Sequence, residues 1–161
     1  MEGFTRINLG SGRHPWPNAT NIDLDERADI VSDVTTLPML EDGSVDEMYA
    51  IHLFEHFDRM KLLPILTEWR RVLKQGGKLI LEMPCLDKIA QMVVSGERNP
   101  KMTIGGIFGD VTDPNPYMRH LWCYSMFEIC GILKEAGFDP VISDPTFHVK
   151  RRDMRVTAVK L

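Results

Sequence analysis

The chain has 161 residues, the usual length of one domain, and we expect residues 1–161 to fold as a single unit. Hydrophobic residues make up 43% of the chain and charged residues 26%, a balance typical of a globular protein with an ordinary core. The formal net charge is only −4 and no basic tract stands out, so the composition argues against a nucleic-acid partner.

The three cysteines, Cys85, Cys123 and Cys130, lack the spacing of a metal site and cannot all pair as disulfides. Such cysteine usage is typical of a reducing compartment, and we therefore expect the protein in the cytoplasm. No apolar run approaches the roughly 20 residues that a membrane helix needs. No charged-then-apolar leader opens the sequence either. We expect neither export by the usual signal nor a membrane span.

Short apolar runs alternate with helical patterns along the chain, which predicts an α/β fold with a largely parallel sheet. Four strands are predicted in the first third of the sequence. The connection between the first two contains Pro15 and Pro17 and is too short for a proper helix. The four predicted strands are Phe4–Leu9, Thr20–Leu24, Asp29–Ser32 and Val45–Ile51.

The second part of the chain begins with the clearest helix, whose apolar residues recur at the helical period from Leu62 to Leu73. Asp58 is its candidate N-cap, and Gly76-Gly77 is the expected stop signal. Ser125 and Glu128 form a capping-box pattern that predicts a later helix, closed by Gly137. The remaining predictions are strands at Lys78–Met83, Pro140–Ser143 and Arg155–Lys160 and a weaker helix at Asp87–Val94.

Residues 96–124 form the least regular stretch, rich in glycine and proline. A loop of this length is uncommon in a compact domain and is often functional. The segment follows the fifth strand, and ligands sit beyond the carboxyl ends of parallel strands. We therefore expect it to form a mobile cover over a ligand site, on the side where an acceptor substrate would bind. Gly105, Gly106 and Gly109 are its expected hinges. The alternatives are a loop without a function or a subunit contact through its apolar residues. If it is a subunit contact, we expect a homodimer.

The first strand runs directly into Gly10-Ser11-Gly12, where glycines allow a ligand to approach the backbone closely. A purely structural turn explains this pattern equally well when it is taken alone. A dinucleotide-binding fold also needs a third glycine and a helix whose N-terminus holds the pyrophosphate. Since the short first connection has no such helix, an NAD oxidoreductase is disfavoured. S-adenosylmethionine has no phosphate, so the missing helix does not count against it.

Two acids end consecutive predicted strands after the glycine turn. Asp23 follows the second strand, where a carboxylate can accept hydrogen bonds from a ribose diol, and Asp33 follows the third, within reach of an adenine amino group. The alternative is that these acids, like Asp25 and Asp29, are turn formers and solvated charges. Their positions after a glycine turn favour the functional interpretation.

Several short motifs occur in order along almost the whole chain. They are Ile7–Gly12, Asn21–Asp23, Asp33 with Leu37-Pro38, Ser44–Asp46, His52–His56, Arg71–Gly77 and Glu135–Phe138. Their order and spacing resemble those of the class I S-adenosylmethionine-dependent methyltransferases, in particular the small type-11 branch. Many members of this family have an acid where this chain has Asn8, which weakens the anchor for the methionine ammonium group.

The resemblance implies a Rossmann-like methyltransferase sheet, mostly parallel with an antiparallel last strand and a reduced first crossover helix. It implies S-adenosylmethionine as cofactor, with the loop from Asn8 to Gly12 on its methionine part, Asp23 on the ribose and Asp33 on the adenine. Ile51 and His52 would close over the site. The cofactor-binding residues so implied are Asn8, Leu9, Gly10, Ser11, Gly12, Asp23, Leu24, Asp33, Val34, Ile51 and His52.

The resemblance further implies methyl transfer to a small-molecule or saccharide acceptor. The protein then mainly aligns acceptor, methyl carbon and sulfur, and a general base helps hydroxyl or carbon-acid acceptors. The candidate catalytic residues are His52, His56 and His120, with Tyr117 as a further candidate base. The alternative function is a non-catalytic cofactor-binding or adaptor protein of the same fold.

The pattern His52-x-x-Glu55-His56 also matches inverted zinc peptidases, in which two histidines one helical turn apart bind the metal. His120 and His148 are conceivable third ligands. The peptidase pattern lies on a helix, whereas this one follows a predicted strand. We therefore expect no metal here, and no tightly bound zinc at His52, Glu55 and His56.

Overall fold

The computed structural model describes residues 5–161, whose strands form one sheet. The strands in chain order are β1 (Arg6–Leu9), β2 (Thr20–Asp23), β3 (Ile30–Val31), β4 (Val45–Ile51), β5 (Leu73–Pro84), β6 (Phe138–Ser143) and β7 (Asp153–Lys160). Their order in the seven-stranded sheet is β3-β2-β1-β4-β5-β7-β6. β1 to β5 pair in parallel, while β7 runs antiparallel to both β5 and β6. The predicted mixed sheet is thus confirmed, and the predicted Phe4 start of β1 lies outside the described residues.

The helices are α1 (Leu62–Val72), α2 (Leu86–Val94), α3 (Ile104–Phe108) and α4 (Met126–Glu135). None of the helices in the described part of the chain is long and apolar enough to cross a bilayer. α1 ends earlier than its expected stop at Gly76-Gly77. The amides of Gly43 and Ser44 donate to the last carbonyls of the helix, and Leu73, the first residue of β5, pairs with Val45 of β4. The paired chain is extended from Leu73 onward, so the two glycines lie inside a strand.

The predicted caps lie where the sequence indicates them. The Asp58 side chain accepts a hydrogen bond from the Met60 amide and opens a 3₁₀ turn that leads into α1. Ser125 accepts from the Glu128 amide at 3.1 Å and starts α4. Glu128 does not complete the reciprocal box, because its carboxylate accepts from Arg59 and Trp122 instead. Gly137 has φ +85° and ends α4.

The core lies between one face of the sheet and the apolar sides of α1 and α4. Trp69 of α1 is its largest fully buried side chain. The Trp69 indole donates to the Val34 carbonyl at 2.8 Å and thereby ties the core to the loop after β3. Two neighbours on α1 hold the same loop: Glu68 accepts from the Leu37 amide, and Arg71 donates to the carbonyl of Leu37.

No helix lies in the three connections between β1 and β4, all of which are among the described residues. Asn21 orders the first connection: its side chain accepts from the Trp16 amide and donates to the Trp16 carbonyl. The Trp16 ring then packs edge-on against Tyr49 at 5.1 Å and against Phe147 at 4.9 Å between ring centroids. These rings cover part of the sheet where a crossover helix would otherwise pack. The absence of a helix in the first connection agrees with the sequence-based expectation.

The segment 96–124 is more ordered than its composition predicts. It contains α3, a 3₁₀ turn at Pro116–Met118 and a bridge between Gly109 and Arg119. Gly105 and Gly106 lie inside α3, where hydrogen bonds within the helix hold the backbone. Hinges at these positions stay a prediction. Of the three expected hinges only Gly109 has a positive φ, +73°, and a Cβ there would collide with the Met118 carbonyl. It permits a close approach of two chain segments.

Candidate functional site

The glycine turn lies at the carboxyl edge of the parallel strands. Gly10 and Gly12 have φ values of +67° and +52°, which favour glycine. The Gly10 amide donates to the Ile22 carbonyl at 2.8 Å, and this bond fixes the turn against β2. A side chain at Gly10 would meet Leu53, whereas Gly12 faces open space. Ser11 Oγ is buried and has no hydrogen-bond partner within residues 5–161, so it can bond to a ligand in the turn.

Asp23 connects the glycine turn to the end of β2. Its Oδ2 accepts from the Gly12 amide at 2.8 Å and its Oδ1 accepts from the Asp25 amide at 2.7 Å. A carboxylate has about four acceptor sites, so two bonds leave room for a diol. The neighbouring Leu24 side chain is 59% exposed and offers an apolar surface beside it.

The residues after β3 divide between surface and core. Asp33 is exposed and accepts from the Thr35 amide in a turn. Val34 is buried, and its carbonyl holds the Trp69 indole. Only the Asp33 carboxylate is therefore accessible to a ligand at this position.

Two residues implied by the resemblance have structural roles in β1. The Asn8 amide group donates to Asn21 Oδ1 at 3.0 Å and supports the ordered first connection. The Leu9 side chain is fully buried in the core, so only its backbone can reach a ligand. A carboxylate in place of the Asn8 amide could not donate to Asn21 Oδ1 and would repel it. The Asn8–Asn21 pair therefore explains the amide at this position.

His52 directly follows β4 and has φ +50°, a rare conformation for a residue with a side chain. Its Nε2 lies 3.4 Å from Asp153 Oδ2, and its Nδ1 lies 2.9 Å from Glu55 Oε1. Burial by itself lowers the pKa of His52, but the carboxylates of Asp153 and Glu55 outweigh burial and raise the pKa to about 9. His52 is therefore protonated at neutral pH and cannot accept a proton there.

His56 and His120 lie together beside the same glutamate. Their ring centroids are 4.9 Å apart, and His120 Nε2 is 3.9 Å from Glu55 Oε1. The Glu55 carbonyl accepts from the amides of Leu121 and Trp122, which draws the segment 96–124 onto the turn after β4. Burial lowers the pKa of His120, so its ring is neutral. His120, which is distant in sequence from His52 and His56, thus joins them in one cluster around Glu55.

Sequence reasoning missed Asp153, the buried acid at the start of β7. Its carboxylate accepts from Arg152 at 2.6 Å and lies against His52. Burial raises the pKa of Asp153, yet His52 and Arg152 outweigh burial and lower it to about 2. The ring of His148 packs against that of His52 at a tilt of 51°, with the centroids 4.0 Å apart. The run Lys150–Arg152 indicates a solvated surface in the sequence, and no local pattern there marks a buried acid.

Three other side chains with polar or reactive groups do not belong to this cluster. Tyr117 is 70% exposed. The Trp122 indole donates to Glu128. Cys85 is buried, and burial raises the pKa of its thiol, which disfavours the thiolate needed for a nucleophile. The segment from His52 to His56 contains a short 3₁₀ turn rather than an α-helix, so it lacks the helical spacing of a zinc peptidase.

Comparisons with known proteins agree with the fold. The family model described as "Methyltransferase domain" matches residues 14–81. A methyltransferase dependent on S-adenosylmethionine from Methanosarcina mazei superposes with TM-score 0.68 at 16% identity, over 100% of this chain and 94% of that one. One from Archaeoglobus fulgidus gives TM-score 0.63 and 16% identity, over 99% and 87%.

A third similar structure is the Burkholderia thailandensis 1,6-didemethyltoxoflavin-N1-methyltransferase, determined with its substrate and S-adenosylhomocysteine bound. It has TM-score 0.63 and 16% identity, over 97% of this chain and 70% of that one. No curated protein matches the chain in sequence. At these identities the superpositions establish the fold, and the family match adds the sequence relation over residues 14–81.

Proposed function

We propose that the chain is a class I S-adenosylmethionine-dependent methyltransferase that methylates a small-molecule or saccharide acceptor. The family match over residues 14–81 and the fold support this proposal. The observation that carries this proposal is the glycine turn: two positive-φ glycines, the unpartnered buried Ser11 hydroxyl and the Asp23 carboxylate meet at the carboxyl edge. The glycines and Ser11 fit the methionine part of the cofactor, and Asp23 fits its ribose. The first connection has no helix whose N-terminus could bind a phosphate, so a dinucleotide fits less well.

The chain's own residues have distinct roles in this proposal. The bound cofactor supplies a methyl group on a sulfonium. Gly10 and Gly12 let backbone approach the methionine part, Asp23 accepts from the ribose hydroxyls, and the exposed Asp33 accepts from the adenine amino group. His52 stays a cation near the acceptor side, and the neutral His120 is the better proton acceptor for an acceptor hydroxyl.

The acceptor class remains part of the proposal. The Burkholderia thailandensis neighbour acts on a small heterocyclic molecule, which favours small molecules as the first compounds to test. A cofactor-binding protein without catalysis is the alternative function. Release of S-adenosylhomocysteine from S-adenosylmethionine with one of the compounds separates the two. A cytoplasmic location and a homodimer stay predictions from the sequence.

The first expected result concerns Asp23. In Asp23→Ala the affinity for S-adenosylhomocysteine should fall about 10- to 150-fold, because about 1.5–3 kcal/mol of charge-assisted hydrogen bonding is lost. Isothermal titration calorimetry measures this change. Since Asp23 also holds the Gly12 amide, the thermal midpoint of the ligand-free variant is recorded alongside.

Asp25→Ala is the matched control, because that carboxylate pairs with Arg27 at the surface and should leave the affinity unchanged. If the Asp25 variant loses affinity and the Asp23 variant does not, the ribose contact lies at Asp25. No binding to the folded wild-type chain at millimolar ligand would overturn the proposed function.

A second expected result concerns the segment 96–124, which we propose as a cover on the acceptor side. Seven large apolar side chains between Ile104 and Trp122 are exposed, and Glu55 holds the end of the segment near the histidine cluster. S-adenosylhomocysteine, alone and with acceptor candidates, should slow hydrogen exchange of amides 105–120, while α4 amides stay unchanged as an internal control. Slow exchange in the free protein with no response to ligands would contradict the cover and favour a subunit contact.

A further inference from the structure

We propose that Glu55, His56 and His120 form a binding site for a divalent transition-metal ion of the zinc type. One ligand atom from each of the three residues lies within 4.8 Å of the others. Two imidazoles and a carboxylate are a ligand set that zinc accepts in catalytic sites. This inference goes beyond methyl transfer, since metal binding needs neither the cofactor nor the acceptor.

Both histidines have their Nδ1 atoms committed to backbone carbonyls. His56 Nδ1 lies 2.9 Å from the Arg119 carbonyl oxygen, and His120 Nδ1 lies 3.1 Å from that of Gly106. A carbonyl oxygen only accepts, so each Nδ1 carries the hydrogen and each neutral ring keeps its lone pair on Nε2. A second nitrogen bonded to a carbonyl is the usual arrangement of metal-binding histidines, since it fixes the tautomer and the ring orientation.

The Glu55 carboxylate supplies the charge. Its side chain is 1% exposed, yet neither oxygen has a well-formed hydrogen bond within the described residues. His52 Nδ1 is 2.9 Å from Oε1, but its N–H is poorly aligned with that oxygen, so the contact is an ion pair. Burying a carboxylate without hydrogen bonds raises the free energy of the folded state, and a bound cation would compensate its charge. The partly exposed His56 gives the ion a route from solvent.

The separation of the two rings fits a shared ion. The centroids of His56 and His120 are 4.9 Å apart with planes at 81°. Two imidazoles on one tetrahedral zinc, with Zn–N bonds near 2.0–2.1 Å, have centroids about 5 Å apart. The separation of the two rings is therefore compatible with one shared ion.

A neighbouring group, His52, His148 and Asp153, is also close enough for a metal, but its carboxylate already accepts several hydrogen bonds. Both Asp153 oxygens accept from Arg152, and the Val149 amide adds a third bond. An ion would have to displace these contacts, so this group serves as the comparison site. The inference revises the sequence-based expectation of no metal, because the tertiary structure replaces His52 with His120 in the ligand set.

Three protein ligands leave a fourth position open, the arrangement of catalytic zinc sites. An acceptor hydroxyl bound there would have a lowered pKa, so the ion would take over the task of a base. This role rests on the proposed function, whereas binding of the ion does not.

The test uses the full chain without a histidine tag, stripped with a chelator and titrated with zinc in a calorimeter. We expect one ion per chain, and the Co²⁺ form should show the visible absorption of a tetrahedral site. His120→Ala and Glu55→Gln should each weaken zinc binding more than about 100-fold, since losing even an outer-shell partner costs 10–100-fold. The control His148→Ala should bind zinc like the wild type.

Binding of S-adenosylhomocysteine by the same samples shows that each variant is folded and tests the proposed function separately. Absence of stoichiometric zinc binding by the wild type would overturn the site. So would undiminished binding by both His120→Ala and Glu55→Gln, or a loss confined to His148→Ala, which would move the ion to the comparison site.

Discussion

Replacing Trp69 with alanine should lower the free energy of unfolding by about 3–5 kcal/mol. The side chain is fully buried and packs on Phe54 and Phe57, with ring centroids 6.1 and 5.9 Å away. The substitution removes these contacts, leaves a large cavity, and deprives the Val34 carbonyl of its donor. Urea denaturation measures the change as a shift of the midpoint, and the slope should stay constant if only stability is affected.

Trp69→Phe separates packing from the hydrogen bond. It keeps most of the apolar volume and removes the indole donor, so we expect a smaller loss of about 1–3 kcal/mol. Because the Val34 carbonyl adjoins Asp33, this variant should also weaken S-adenosylhomocysteine binding if Asp33 contacts the adenine. Equal stability of wild type and Trp69→Ala would contradict the central place of this residue in the core.

Replacing Glu82 with alanine should cost a comparable amount, about 3–5 kcal/mol, although the residue is charged. Glu82 is fully buried in β5, and its carboxylate accepts from the amides of Thr146 and Phe147 at 2.6 and 3.0 Å. Arg155 lies 3.5 Å away and also loses its counter-charge in the variant. The substitution thus leaves the amides of Thr146 and Phe147 without their acceptor and Arg155 without its buried counter-charge.

Hydrogen exchange localises the effect of the Glu82 variant. The amides of Thr146 and Phe147 should exchange faster, because their acceptor is gone, and the loop that carries His148 should loosen. Glu47→Ala is the control on the neighbouring strand: Glu47 pairs with the half-exposed Arg6, so its loss should cost no more than about 1 kcal/mol. Equal losses in the two variants would mean that Glu82 acts as an ordinary surface charge.

Much of the fold follows from patterns that are local in sequence. The strand β4 has the predicted bounds Val45–Ile51, and Ser125 and Gly137 delimit α4 as their capping chemistry requires. These successes share a reason: backbone sterics, caps and strand alternation depend on residues within a few positions of each other. The end of α1 was predicted wrongly, because pairing with a distant strand decided it.

The sequence by itself therefore determined the largely parallel sheet, the glycine turn and the short first connection without a helix, while the antiparallel last strand was implied by the family resemblance. Only the tertiary structure decided that His52 lies between Glu55 and Asp153 and that His120 contacts His56. It also decided that Glu82, a charged residue in an apolar strand, binds the amides of a distant loop. His52 and Asp153 are 101 positions apart, and no periodicity links such residues. Their contact arises because β7 pairs antiparallel to β5 and so brings its first residue to the carboxyl edge where β4 also ends. The raised pKa of His52 follows from that packing, because charge and desolvation depend on neighbours in space.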